Sequence, residues 1–200
     1  NWCDLLAVNE HIEEVFTRQI IEPKKEQLLK KDIPAFQEIN NKMSSKVRTQ
    51  YEKNPYPRWV TTGLHPSPRS ISKFANEKKL KLYDLEITRV KKPEILIAGC
   101  GTGQHSLSTA AQFLDAKIVA VDLSLSSLAY AQRKTEELGF KNLRYAHADI
   151  LELNRFKSQF DIIESVGVLH HMKNPMDGWQ ILTHCLRSNG LMKIGLYSRL

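Results

Sequence analysis

Three glycines at alternate positions, Gly99, Gly101 and Gly103, end an apolar run that begins at Ile95. That pattern suits a buried strand turning at once into a helix. Glycine permits positive φ and leaves no Cβ between backbone and ligand, and the first N–H groups of the helix are free to meet polar or anionic atoms. A nucleotide-like group is the ligand such a loop would hold, with Cys100, Thr102 and Gln104 completing the turn. The dinucleotide fingerprint requires a small residue where Gln104 stands, so the G-x-G-x-G spacing favours S-adenosylmethionine over NAD.

Two carboxylates extend the constellation. Lys117–Asp122 is a β-branched run whose terminal Asp122, followed by Leu123, lies about 20 residues beyond the glycines, where an acidic side chain can accept both hydroxyls of a ribose. The run from Leu143 to Ile150 reads as a third strand, with Asp149 and Ile150 at its end and Asp149 placed to meet the exocyclic amine of adenine. An Asp in that position can also cap a helix. Three successive strand ends carrying G-x-G-x-G, Asp and Asp form the spacing of an adenosyl site.

On these residues the chain resembles the class I S-adenosylmethionine-dependent methyltransferases over residues 93 to 200. The resemblance continues with Phe160–His171 as a fourth strand and its loop, and with Leu186–Ser198 as a turn and fifth strand. A narrower similarity rests on Tyr51-Glu52-Lys53-Asn54-Pro55-Tyr56-Pro57-Arg58-Trp59, Ala98–His105 and Gly195-Leu196-Tyr197-Ser198. These resemble a bacterial group often joined to tetratricopeptide repeats, which includes rickettsial protein lysine methyltransferases. The resemblance implies that Tyr56, Arg58 and Trp59 fold over the cofactor as a lid, with Arg58 near its carboxylate, and that Tyr51 orients the acceptor amine. It places Glu164 at the methyl-bearing edge, facing the cofactor's amino group or a cationic acceptor, with Ser165 contributing backbone. His170, paired with His171, is a candidate base that can equally start a helix. Packing of the lid aromatics on the sheet is the alternative to a covering role.

Composition narrows the remaining classes. The 200 residues carry a formal charge of +7 spread over both halves, and the densest basic patch, around Lys78, Lys79 and Lys81, lacks interleaved aromatics. A solvated basic surface fits better than a nucleic-acid platform. Cys3, Cys100 and Cys185 are an odd set without ligand-like spacing, which argues against a disulfide framework or a metal site and for a reduced, cytoplasmic setting. No apolar run approaches the roughly 18 residues of a membrane span, and no cleavable leader pattern is present.

The elements that must position these residues follow from periodicity. Leu5, Leu6, Val8, Ile12, Val15, Phe16, Ile20 and Ile21 recur at helical spacing, so residues 1–50 form a helical N-terminal region punctuated by Pro23 and Pro34. Residues 51–92, with prolines at 55, 57, 66 and 68, form an extended connector and cofactor lid. Residues 93–200 form the cofactor-binding core: strands alternate with helical patterns at 106–113, 124–138 and 176–186, which predicts an α/β doubly wound, mostly parallel, Rossmann-like sheet. The chain begins within a helical pattern and stops after strand five. The last two strands of the methyltransferase fold are therefore expected beyond it, together with acceptor-binding parts, in a larger protein.

The reaction these features predict is methyl transfer from S-adenosylmethionine, with a protein lysine nitrogen as acceptor and small-molecule O- or N-methylation as the alternative. The fourth strand ends Glu-Ser-Val-Gly rather than Asn-Pro-Pro-Tyr, against methylation of exocyclic amines on DNA bases. An oxidoreductase would bind NAD, and a catalytically silent methyltransferase-like interaction module would show no turnover.

Overall fold

A computed structural model describes residues 10–36, 49–53 and 55–197. Five strands, β1 (Glu94–Ala98), β2 (Lys117–Asp122), β3 (Leu143–His147), β4 (Phe160–Val166) and β5 (Leu186–Gly195), form one sheet in the order β3-β2-β1-β4-β5. Every pairing is parallel. Parallel neighbours require crossovers, supplied by helices at Gln104–Gln112, Leu125–Glu137 and Pro175–Cys185. The sheet is thus the Rossmann-like arrangement that the strand–helix alternation predicts.

Alternation along β1 divides the core in two. Ile95 and Ile97 join Leu107 and Leu128 on one face, while Leu96 and Ala98 join Ile163 and Leu182 on the other. A strand apolar on both faces belongs at the centre of a doubly covered sheet, where β1 sits. The strand order reverses there, with β2 on one side and β4 on the other, so the loops after β1 and β4 diverge and leave a crevice.

β5 is less regular. Phe160 pairs with Leu186 but Ile162 pairs with Leu191, so extra residues bulge out between them, with Asn189 at φ +62°. Arg187, carried by this bulge, pairs with Asp161 at 2.8 Å and with Glu94 at 2.5 Å, tying β5 to the starts of β4 and β1.

The N-terminal segment is helical through Pro23. An α-helical turn (Glu13–Phe16) leads into a π-helical turn (Thr17–Ile21) and then an α-helix (Glu22–Asp32). The break expected at Pro23 is replaced by this wider turn, which gives the ring room beside the preceding carbonyls. Arg133 fastens the helix to Leu125–Glu137: its side chain is 1% exposed and meets Glu22 at 2.9 Å, Glu26 at 3.1 Å and Glu137 at 2.6 Å. Leu5, Leu6, Val8 and Cys3 lie outside the described residues.

The connector is not wholly extended. Residues 49–53 are helical, a helix spans Ile71–Glu77 with the Ser70 hydroxyl accepting from the amide of Lys73 at 3.2 Å, and a 3-10 turn covers Glu86–Arg89. These pieces are too short for a periodic signal. Among the described residues no helix is long and apolar enough to cross a membrane.

Candidate functional site

The crevice is a cleft of about 610 Å³ at the carboxyl ends of the strands. The loop after β1 forms its floor. Gly99, Gly101 and Gly103 all have positive φ, at +78°, +52° and +82°. Their reasons differ. A Cβ on Gly99 would lie 2.4 Å from Val168 Cγ2 and one on Gly103 2.6 Å from Ala131 Cβ, whereas one on Gly101 would meet nothing closer than 3.9 Å. Gly101 lines the cleft with open space above it, the clearance a close-lying ligand needs. Gly103 does not line it and serves helix packing.

Asp122, at the end of β2, organises this floor. Its Oδ2 accepts from the Gly101 amide at 2.7 Å and its Oδ1 from the Ser124 amide at 3.0 Å. Burial pushes its carboxyl above the ordinary range, against the opposing effect of the Ser124 and Gly101 amides and of His147. Each carboxylate oxygen has a further lone pair for a hydroxyl in the cleft. Leu123 lines the cleft beside it and its carbonyl meets His147 Nε2 at 2.9 Å.

Asp149 stands two residues past the end of β3, where it caps the 3-10 turn Ile150–Phe156: Oδ1 accepts from the Leu151 amide at 3.0 Å. Its Oδ2 is buried and has no partner among the described residues, although the residue lines the cleft with Ile150. An orphaned buried carboxylate oxygen signals a missing donor. The exocyclic amine of an adenosyl group supplies one, so the residues at the ends of β1, β2 and β3 fit S-adenosylmethionine.

Cys100, Thr102 and Gln104 also line the cleft. Cys100 is inert as a nucleophile, because burial and then the charge of Asp122 push its thiol well above the ordinary value. The Thr102 hydroxyl donates to the Pro57 carbonyl at 2.5 Å and its own carbonyl accepts from Trp59 Nε1 at 3.0 Å, which pins the connector to the glycine loop.

The connector residues part company here. Tyr51 and Tyr56 line the cleft, and Tyr56 is 75% exposed at its mouth, next to a cis Tyr56–Pro57 bond. Trp59 is buried beside Tyr130, whose hydroxyl bonds the Trp59 carbonyl. Arg58 faces away from the cleft: its guanidinium reaches Glu26 at 2.9 Å and lies 4.7 Å over the Tyr130 ring. Packing against the helices and the glycine loop thus accounts for Arg58 and Trp59, while Tyr51, Tyr56 and Pro57 line the cleft.

Glu164 and Ser165 do not line the cleft. Glu164 is buried on β4, with Oε2 accepting from the Thr109 hydroxyl at 2.6 Å and meeting His105 Nε2 at 2.9 Å. Ser165 is wholly buried and its hydroxyl has no partner among the described residues. His170 sits behind the wall, its ring 4.1 Å from that of His171 and 4.3 Å from that of Tyr197, with both ring nitrogens buried and unpartnered among the described residues. Burial and the neighbouring His171 lower its basicity. His171 and Tyr197, rather than His170, face the cleft.

Some lining residues escaped sequence reasoning. Lys173, Asn174 and Asp177 close the wall after β4. Their local signal, an Asn cap before Pro175, marks a helix start and says nothing about a cleft.

Glu52 holds Tyr51 in place. Its carboxylate accepts from the Ser124 hydroxyl at 3.1 Å and from the Ser126 amide at 3.0 Å, and pairs with Lys30 at 3.0 Å. Burial opposes its ionisation, but the Ser126 amide and hydroxyl and then Lys30 prevail and bring it down to about 2.

Residues 95–190 match the family described as "Methyltransferase domain". Among curated relatives, a Synechococcus protein of uncharacterised function is 33% identical over 110 residues, covering 54% of this chain and 26% of the relative. An uncharacterised Rickettsia prowazekii protein is 26% identical over 147 residues, covering 72% of this chain and 56% of its own length. The chain thus spans between a quarter and just over half of these relatives. Among solved structures, phosphoethanolamine N-methyltransferase 2 of Haemonchus contortus, determined with S-adenosylhomocysteine, superposes with a TM-score of 0.54 at 20% identity, covering 74% of this chain and 34% of that one. That likeness concerns the fold. With the family match over residues 95–190, the parallel sheet and a cleft whose polar atoms fit an adenosyl group, this region is similar to S-adenosylmethionine-dependent methyltransferase domains.

Proposed function

We propose that this protein transfers the methyl group of S-adenosylmethionine to an amine, and that the acceptor is a lysine side chain of a protein. The observation that carries the acceptor class is the mouth of the cleft, where Tyr51, Tyr56 and Tyr197 stand with the carboxylate of Asp177. Aromatic faces and a carboxylate are the surroundings a cationic amine seeks. Tyr56 and Tyr197 are 75% and 73% exposed, which suits entry of a side chain carried on a larger surface. The similarity of the segment from Tyr51 to Trp59 to bacterial protein lysine methyltransferases supports the same acceptor.

In this reading Asp122 binds the ribose, Asp149 with Ile150 and Leu123 holds the adenine, and the loop from Gly99 to Gln104 cradles the methionyl end. Tyr51 orients the amine. The cofactor supplies an electrophilic methyl on a sulfonium; the chain aligns the nucleophile and excludes water, and such alignment lowers barriers by about 7–11 kcal/mol in favourable cases. Lys173 supports a second reading, because a cation in the cleft wall suits a small carboxylate acceptor. Incubating the full-length protein with cell extract and labelled cofactor, followed by mass spectrometry, tests both: label on lysine peptides is expected. Label confined to small carboxylates or hydroxyls would overturn the lysine assignment.

A further inference from the structure

His105 occupies the first turn of the helix after the glycine loop and lines the cleft. Its Nε2 is taken by Glu164 Oε2 at 2.9 Å. That carboxylate comes from the neighbouring β4, its side chain is only 5% exposed, and the Thr109 hydroxyl fixes the same oxygen at 2.6 Å. From β5, Lys193 Nζ stands 3.8 Å from Glu164 Oε1 and 3.4 Å from His105 Nε2. Burial opposes ionisation of Glu164, yet the hydrogen bond and charge of His105, with Thr109 and Lys193, hold its carboxyl below the ordinary range. The titratable groups that share the cleft with His105 around the proposed acceptor position are Tyr51, Tyr56, His171, Lys173, Asp177 and Tyr197.

A packing contact between helix and sheet would be served by apolar side chains. Here a buried anion is spent on one nitrogen of an imidazole at the cleft surface; with that nitrogen protonated toward the carboxylate, Nδ1 is the ring's acceptor. The orientation is that of a base held in one tautomer by a carboxylate behind it. His170 lacks any such partner among the described residues.

We infer that His105 is the proton acceptor for an amine substrate in this cleft, with Glu164 as the positioning residue that fixes its Nε2–H tautomer and Lys193 as a cationic modulator. The inference rests on the amine reading above. An incoming ammonium loses a proton to His105 Nδ1; the freed nitrogen lone pair forms the bond to the methyl carbon as the carbon–sulfur bond breaks, its electron pair staying on sulfur. The imidazolium then returns its proton to water.

The test uses the full-length protein and a lysine-containing acceptor. His105→Ala is expected to reduce kcat/KM about 100-fold near neutral pH, the low end for loss of a general base. The deficit should shrink steadily as pH rises toward the lysine value of about 10.4, where the amine deprotonates unaided. Glu164→Gln should cost about 10-fold. Nitrogen chemical shifts of His105 in cofactor-free protein should report the Nε2–H tautomer, and Glu164→Gln should relax that bias. A His105→Ala loss of equal size at every pH would overturn the catalytic role and leave a structural one. The absence of an Nε2–H bias would overturn the dyad whatever the acceptor. If the wild-type protein binds cofactor but yields no methylated amine, the amine reading itself fails, and this inference with it.

Discussion

The two halves of the cleft are built by opposite means. Under the adenosyl position, strand ends β1, β2 and β3 present backbone amides and buried carboxylates already engaged with one another, as in the Asp122 bonds to Gly101 and Ser124. Over the proposed acceptor position, the connector and the loop after β5 present exposed rings, Tyr56 and Tyr197. The first half is preorganised by main-chain geometry. The second is assembled from side chains on separate elements, which is how one domain type serves many acceptors.

The largest effect should come from the preorganised half. Gly103→Ala forces an alanine to φ near +82° and drives its Cβ to within 2.6 Å of Ala131 and 2.8 Å of the Tyr145 hydroxyl. Left-handed strain of about 1–2 kcal/mol adds to overpacking of about 1–3 kcal/mol, for a stability loss of about 2–5 kcal/mol in denaturant titration. Gly101→Ala meets open space and should cost only the strain, while reducing cofactor affinity more than Gly103→Ala does per unit of stability lost. Equal stability losses would mean that the glycines share one function.

The carboxylates come next. Asp149→Asn keeps the cap to Leu151 through Oδ1 and removes the anionic character of the orphaned Oδ2, so calorimetry should record a cofactor affinity weaker by about 1.5–3 kcal/mol. Folding stability should stay within about 0.5 kcal/mol. Asp122→Asn should lower both quantities, since the Asp122 carboxylate serves the loop as well as the ligand. Unchanged affinity in Asp149→Asn would remove the adenine contact.

The same contrast governs what could be read from residue order. Gly99–Gly103, Asp122 and Asp149 lie at or just past strand ends, and each strand announces itself by a short apolar run, so the sheet is legible, and with it the place of the cleft to which the adenosyl site is assigned. The pairing of Glu164 with His105 spans 59 positions between β4 and a crossover helix, and nothing local marks it. Glu164 was expected at the methyl-bearing edge because it stands near the end of β4, but strand alternation turns it under the helix. Arg58 and Trp59 were expected over the cofactor because the segment is proline-stiffened and aromatic. Which way each side chain turns depends on Glu26, Tyr130 and Thr102, all far away in sequence.

A moderate effect should appear with pH in the clamp that holds Tyr51. The Glu52 carboxyl falls from an ordinary 4.5 to about 2. A depressed value stabilises the fold above the unfolded value and loses that stabilisation as pH falls through the folded one, so the window is roughly pH 4.5 down to 2. Because the side chain is 36% exposed, solvent screening reduces the contribution to about 1 kcal/mol. Urea midpoints should therefore fall more steeply with acid in the wild type than in Glu52→Gln. Parallel slopes would mean that Lys30, Ser124 and Ser126 do not stabilise the charged form.

The smallest effect separates a lid from a bracket. Arg58 is bound to Glu26, which keeps Arg133 as a second partner, so Arg58→Ala should cost about 0.5–1 kcal/mol of stability. It should leave cofactor affinity unchanged within about 0.3 kcal/mol, because the guanidinium points at the N-terminal helix. Tyr56→Ala should do the reverse: its ring is mostly exposed at the cleft mouth, so stability hardly moves while cofactor release quickens. Trp59 offers a direct reading of the same division. Buried and bonded to the Thr102 carbonyl, it should keep its emission maximum when cofactor binds. A marked shift, or tighter dependence of affinity on Arg58 than on Tyr56, would restore the whole segment to the role of a cover over the cofactor.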